Sequence, residues 1–312
     1  MKKPLLIIVG PTAVGKTETS IHIAKRLNGE IISADSMQVY KYMDIGSAKP
    51  SIDERKGIPH YLMDEIDPRE DFSAAQFQKK GKAYIDWITN KNKLPMIVGG
   101  TGLYVNSIIY DIDFTQTVSN LEFRKELETQ AQTYGNEYLH AKLAEKDPEA
   151  AERIHPNNVK RVIRALEVIE NGETVKDFKS ALVENEAYNY VLIGLTRDRE
   201  ALYERINKRV DLLIEAGLIE EVKQLIDLGL DDADISMKGL GYKEIIRYLK
   251  GEYDLEEAIR VLKRDTRHYA KRQITWFKGY DKIKWFDFDH YPSKKQLEED
   301  IIKYVEGKIK FL

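Results

Sequence analysis

The run Leu5-Leu6-Ile7-Ile8-Val9 leads straight into Gly10-Pro11-Thr12-Ala13-Val14-Gly15-Lys16-Thr17, and this junction constrains the fold more than anything else in the chain. Consecutive apolar residues are the pattern of a strand buried on both faces of a parallel sheet. The residues after them fit G-x-x-x-x-G-K-[ST], and Thr17–Leu27 reads as a helix, so the motif has the flanks it needs. Its glycines let the backbone curl until N–H groups point at phosphate oxygens. The helix N-terminus adds partial positive charge and Lys16 adds a full one. The Thr17 hydroxyl is placed to bind the magnesium ion that accompanies a diphosphate. The motif therefore specifies a diphosphate-bearing ligand, held by Gly10, Pro11, Thr12, Ala13, Val14, Gly15, Lys16 and Thr17, and leaves the reaction open.

Strand and helix patterns alternate beyond it. Glu30–Ser33 reads as a second strand, Ser73–Asn90 as a long helix, and Pro95–Val98 as another buried strand, followed by Gly99-Gly100-Thr101-Gly102 and a helix from Leu103. From about Asp113 to Asn189 the segments read as helices with turns between them. Tyr190–Leu195 then restores a strand pattern, Arg199–Ala216 and Leu218–Leu228 read as helices, and Ile283–Phe288 as a late strand. This alternation predicts an α/β fold, a P-loop NTPase-like parallel sheet flanked by helices, with an all-helical insertion domain. The core is then discontinuous, 1–113 and 190–312, with the insertion at 114–189.

Composition narrows the chemistry. Hydrophobic residues make up 42% of the 312, enough for a sizeable core, and 32% are charged. With no cysteine there is no disulfide and no thiolate site, and the six scattered histidines, with no His-x-x-x-His pair, argue against a protein zinc site. The apolar run before Gly10 is too short for a signal sequence, and no stretch approaches membrane length, so a cytoplasmic protein with no membrane partner is expected. The net charge of −3 does not by itself point to nucleic acid. Any RNA contact must use local positive charge.

Two such stretches exist. One comprises Arg153, Lys160, Arg161 and Arg164. The other is the predicted helix Ala258–Lys278, with seven basic residues against the single acid Asp265. Arg260, Lys263, Arg264, Arg267 and Lys271 recur at helical spacing on one face, while Leu262, Tyr269 and Trp276 lie on another. The stripe could track RNA phosphates or be an ordinary solvated face. Asp35 follows the second strand, where residues line the ligand crevice of an open parallel sheet. It could act as a general base or merely cap a turn, and Thr101 could equally be a turn residue. Arg209 is a candidate diphosphate contact or a solvated helix charge, and His60 reads as structural. No acid ends the Pro95–Val98 strand, which counts against ordinary nucleotide hydrolysis.

Gly10–Thr17, Asp35-Ser36-Met37-Gln38-Val39-Tyr40, Gly99-Gly100-Thr101-Gly102-Leu103-Tyr104, His155-Pro156-Asn157 with Arg161, Arg164-Ala165-Leu166-Glu167-Val168, Gly241-Tyr242-Lys243-Glu244 and Tyr269–Phe277 together resemble the tRNA dimethylallyltransferase family. They run in family order from residue 10 to 277, in the manner of the short bacterial form without a zinc-finger extension. The resemblance implies transfer of a dimethylallyl group from dimethylallyl diphosphate to an adenine beside the tRNA anticodon, with magnesium as cofactor. It implies Asp35 as catalytic base, with Lys16, Thr17 and Thr101 in the catalytic set and Thr101 contacting the target nucleotide. Asp35, Ser36, Met37, Gln38 and Thr101 would meet the flipped base. Lys160, Arg161, Arg164, Arg264, Arg267, Lys271 and Arg272 would meet the anticodon stem-loop. A monomer without an obligate protein partner is expected. Two other readings share some of these features: a small-molecule or nucleotide kinase acting with ATP, and an RNA-binding protein that retains the loop without chemistry.

Overall fold

The computed structural model describes residues 2–114, 121–175 and 182–309. The described chain divides into two compact units, Met1–Ile109 with Asn185–Leu312, and Tyr110–Glu184. The sequence reading set these junctions at 113/114 and 189/190.

The first unit is an α/β core. Its strands are β1 (Lys3–Val9), β2 (Gly29–Ala34), β3 (His60–Tyr61), β4 (Leu94–Gly99), β5 (Tyr188–Thr196) and β6 (Ile283–Asp287). They form one sheet in the order β3-β2-β4-β1-β5-β6, with every pair parallel. β1 sits in the interior between β4 and β5, with Ile7 opposite both Ile97 and Leu192. That place explains its unbroken apolar run, because helices cover both faces and no residue of Leu5–Val9 reaches solvent. β3 was not anticipated: two residues, one of them His60, carry no periodicity to detect. The His60 Nδ1 hydrogen-bonds the Ile58 carbonyl at 2.8 Å, a local backbone role.

The helices of the core are α1 (Lys16–Arg26), α2 (Ala74–Asn90), α3 (Gly102–Ile109), then, after the insertion, α8 (Arg199–Glu215), α9 (Leu218–Asp227), α10 (Tyr242–Leu249), α11 (Leu255–Phe277) and α12 (Lys294–Lys308). Ser73 and Gln76 form a reciprocal capping box at the start of α2. α11 begins three residues before the predicted Ala258, because the Asp254 carboxylate accepts from the Glu257 N–H at 2.8 Å and caps the helix there. Leu6, Ile8, Ile31, Met96 and Ile193 from the sheet pack with Ile23, Leu202, Ile206 and Ile301 from the helices.

The second unit contains α4 (Leu121–Tyr134), α5 (Asn136–Lys146), α6 (Pro148–Arg153) and α7 (Val159–Glu170). Leu127, Leu139, Leu143, Val162, Ile163 and Leu166 form its own core. Glu167 is buried beside that core, bound by Arg124 at 2.6 and 2.8 Å and by Arg164 at 3.1 Å. These bonds hold its carboxyl below the usual range even though burial opposes them. No helix among the described residues is long and apolar enough to cross a membrane.

Candidate active site

The carboxyl ends of the parallel strands gather the polar residues of the core. Past Val9 the chain turns through Gly10–Gly15 into α1, with Gly15 at φ +114°, a conformation that a side chain would strain. The loop's carbonyls are held from outside. Arg205 Nε donates to the Ala13 carbonyl at 2.9 Å and Arg197 Nε to the Val14 carbonyl at 3.0 Å. Arg197 also stacks 4.0 Å over the Phe288 ring. With these two carbonyls turned outward, neighbouring N–H groups are left for an anion. Two loop N–H groups are already engaged: that of Thr12 donates to Gln273 Oε1 at 2.9 Å and that of Val14 to the Pro11 carbonyl at 3.4 Å.

Lys16 folds back over the loop, its Nζ donating to the carbonyls of Gly10 at 2.9 Å and Pro11 at 2.8 Å. Burial pushes its ammonium down to about 7; the charge of Asp35 opposes the shift and that of Arg209 adds to it. A diphosphate at the loop would restore the charged form by supplying anionic oxygens.

Asp35 lies one residue past β2. Its Oδ1 accepts from the N–H of Met37 at 2.9 Å and of Gln38 at 3.4 Å, so it does close a turn. The same carboxylate also borders a cavity of about 390 Å³, together with Thr12, Ser36, Met37, Arg209, Tyr269 and Arg272. The two sequence readings of Asp35 are therefore compatible: one oxygen serves the turn while the side chain faces the cavity. Arg209 borders this cavity and a second cleft of about 400 Å³, lined also by Gly15, Lys16, Thr17, Arg205 and Lys208. A recess of about 40 Å³ brings Lys16, Thr17, Ser33, Asp35, Gln38 and His60 together.

The glycine loop after β4 closes the other side. Thr101 Oγ1 accepts from the Ser36 N–H at 3.2 Å, and the Thr101 N–H donates to the Ala34 carbonyl at 3.1 Å. Gln273 Nε2 donates to the Gly100 carbonyl at 3.0 Å, and a Cβ at Gly100 would run into that amide. Buried Gln273 thus joins the phosphate loop to the glycine loop. Burial and the nearby Asp35 raise the Tyr269 hydroxyl well above its ordinary value, while hydrogen bonding to Thr101 and Gln273 opposes them.

The predicted residues divide into groups. Gly10–Thr17, Asp35, Ser36, Met37, Gln38, Thr101, Arg209 and Arg272 converge on the strand ends of the core. Lys160, Arg161 and Arg164 stand exposed on α7 of the second unit, Arg164 being tied to Glu167. The α11 stripe is not one free face. Lys263 pairs with Asp211 at 2.6 Å, and Arg267 donates to Asn207 Oδ1 at 2.6 Å, both partners lying on α8. Arg264 pairs with Asp265 at 2.8 Å and Arg260 with Glu257 at 2.6 Å, whereas Lys271 and Arg272 are exposed. Helical spacing identified the face but not the acids and amides across from it. Arg197, Arg205, Lys208 and Gln273 were missed as site residues. Only Gln273 carried a signal, as part of the Tyr269–Phe277 segment.

Among the described residues no group of three or more His, Cys, Asp or Glu could hold a metal ion by itself. The Thr17 hydroxyl, exposed and without a hydrogen bond, suits a magnesium ion bound chiefly by phosphate oxygens and water.

The IPP transferase family model matches residues 38–280. A tRNA dimethylallyltransferase of Alkaliphilus oremlandii is 60% identical over 98% of this chain and 98% of its own. The crystal structure of a tRNA isopentenylpyrophosphate transferase from Bacillus halodurans superposes with a TM-score of 0.75 at 48% identity, covering 98% of this chain and 97% of that one. A eukaryotic dimethylallyltransferase solved acting on tRNA superposes with a TM-score of 0.80 at 28% identity, covering 97% of this chain and 80% of that one.

Proposed function

The chain belongs to the IPP transferase family, and from that premise we propose that it acts as a tRNA dimethylallyltransferase. The reaction moves a dimethylallyl group from dimethylallyl diphosphate to the exocyclic N6 amine of the adenosine 3′-adjacent to the anticodon. The products are N6-isopentenyladenosine and diphosphate.

The main support is one observation: Asp35 and Arg209 border the same cavity of about 390 Å³, and Arg209 with Lys16 and Thr17 borders the cleft beside the phosphate loop. That cavity falls within the roughly 300–1,000 Å³ usual for small-molecule sites. The diphosphate lies on the loop N–H groups, near Lys16 and Arg209. Magnesium, held by Thr17 and the phosphate oxygens, would help neutralise the leaving charge. The target adenine cannot react inside a stacked loop, so it enters flipped, at a cost of a few kcal/mol. Asp35 orients N6 and takes its proton as the amine attacks the allylic carbon. The carbon–oxygen bond breaks as the carbon–nitrogen bond forms, and the electron pair leaves with the diphosphate. Thr101 Oγ1, already accepting from Ser36 N, fixes the floor beneath the base.

Incubation with radiolabelled dimethylallyl diphosphate, magnesium and unmodified tRNA tests the reading. Label in the RNA supports it. Label reaching a product only from γ-labelled ATP would make the chain a kinase, and tRNA binding with no transfer would leave only an RNA-binding role.

A further inference from the structure

Glu221, on α9, belongs to none of the sequence motifs discussed above, yet it is buried and four donors converge on its carboxylate. Oε2 accepts from the N–H groups of Asp44 at 2.8 Å and Ile45 at 2.6 Å; Oε1 accepts from the Gly46 N–H at 2.9 Å and the Tyr242 hydroxyl at 2.8 Å. The Tyr242 oxygen is also hydrogen-bonded to the Ser47 backbone. Three consecutive N–H groups and a neighbouring hydroxyl thus bind one side chain, across 175 residues or more for the amides. An acceptor-only group is the one side chain that satisfies such a set, and leaving these buried donors without it would be costly.

The captured turn reaches the site. Gly46 and Ser47 border the large cavity with Asp35. The Ser47 carbonyl accepts from Gln38 Nε2 at 3.5 Å, while Gln38 Oε1 accepts from Ser33 Oγ at 2.9 Å, so the Gln38 amide is held at both ends. The Gln38 N–H in turn donates to Asp35 Oδ1 at 3.4 Å. Resting on the transferase reading above, we propose that Glu221 is a positioning residue for the adenine side of the site: it gathers the Asp44–Gly46 turn and, through Ser47 and Gln38, sets the segment beside Asp35. The phosphate loop is braced separately, by Arg197, Arg205 and Gln273. Loss of the clamp should therefore disturb one substrate and spare the other.

The test uses the full chain with Glu221→Gln, which keeps the shape but replaces one acceptor oxygen by a donating amide NH2, and Tyr242→Phe, which removes one of the four bonds. Steady-state kinetics on each substrate are combined with hydrogen exchange of the Asp44, Ile45 and Gly46 amides. Glu221→Gln should raise KM for tRNA by about tenfold or more and speed exchange at those amides by a similar factor. KM for dimethylallyl diphosphate and exchange in β1 and β4 should stay unchanged. Tyr242→Phe should show the same split to a smaller degree, and it decides the matter if Glu221→Gln does not fold. Unchanged KM for tRNA, or an equal rise in both KM values, overturns the positioning role. A wild-type protein that transfers nothing overturns the transferase reading, and this role with it.

Discussion

At Asp35 a single carboxylate has two neighbours to satisfy, the turn N–H groups of Met37 and Gln38 on Oδ1 and the cavity it borders. Removing the whole side chain would confound them. Asp35→Asn keeps an oxygen for the turn and removes the base, so it should lower kcat by about 10²–10⁴ with tRNA affinity unchanged, measured by single-turnover transfer and filter binding. Lys16 gives a pH prediction. Its ammonium, pushed down to about 7, is largely uncharged from there up to its ordinary 10.5, whereas the unfolded chain holds the proton over that window. The unfolded state then binds more protons, so this group makes stability rise with pH between those values, and Lys16→Met should flatten that part of the stability curve. Diphosphate binding at the loop should reverse the shift. At pH 8 it should be accompanied by proton uptake, seen as a calorimetric heat that depends on the buffer, and Lys16→Met should abolish the uptake. The cradle itself was legible because strand, glycines, lysine and helix are contiguous. That Asp35 both closes a turn and borders the cavity was not, since either place alone favours an acid after a strand.

Elements show where sequence periodicity stops being informative. Spacing along α11 put Arg260, Lys263, Arg264, Arg267 and Lys271 on one face, and the helix does present them so. What spacing lacks is the opposing surface: Asp211 and Asn207 of α8 face Lys263 and Arg267 and engage them. Functional weight should therefore move toward the end of the helix that carries Lys271 and Arg272. Substituting these two by alanine should weaken tRNA binding and lower the slope of log affinity against log salt by about one for each RNA phosphate no longer neutralised. The Lys263→Ala and Arg267→Ala changes should leave that slope unchanged, and thermal melts should instead show a small loss of stability. The same limitation hid Arg197 and Arg205, whose work on the phosphate loop depends on contacts more than 180 residues away in sequence.

At the scale of the molecule, the sequence showed the sheet interrupted by helices because buried strands and amphipathic helices have different periods. It placed the junctions only to within a few residues, where neither period is established. In the structure the Asn185 N–H donates to the Ile109 carbonyl at 2.9 Å, so the chain leaves and re-enters the core side by side. Residues 110–184 have their own hydrophobic core. Replacing them by a short glycine linker should leave a folded α/β core that binds diphosphate like the intact protein and binds tRNA weakly, measured by circular dichroism, calorimetry and filter binding. Within that core the Gln273 side chain acts as a pin through two hinges. One amide group holds Thr12 on its oxygen and Gly100 on its nitrogen. The phosphate loop and the glycine loop thus share one mechanical support, so a change at Gln273, unlike one at Glu221, should loosen both together.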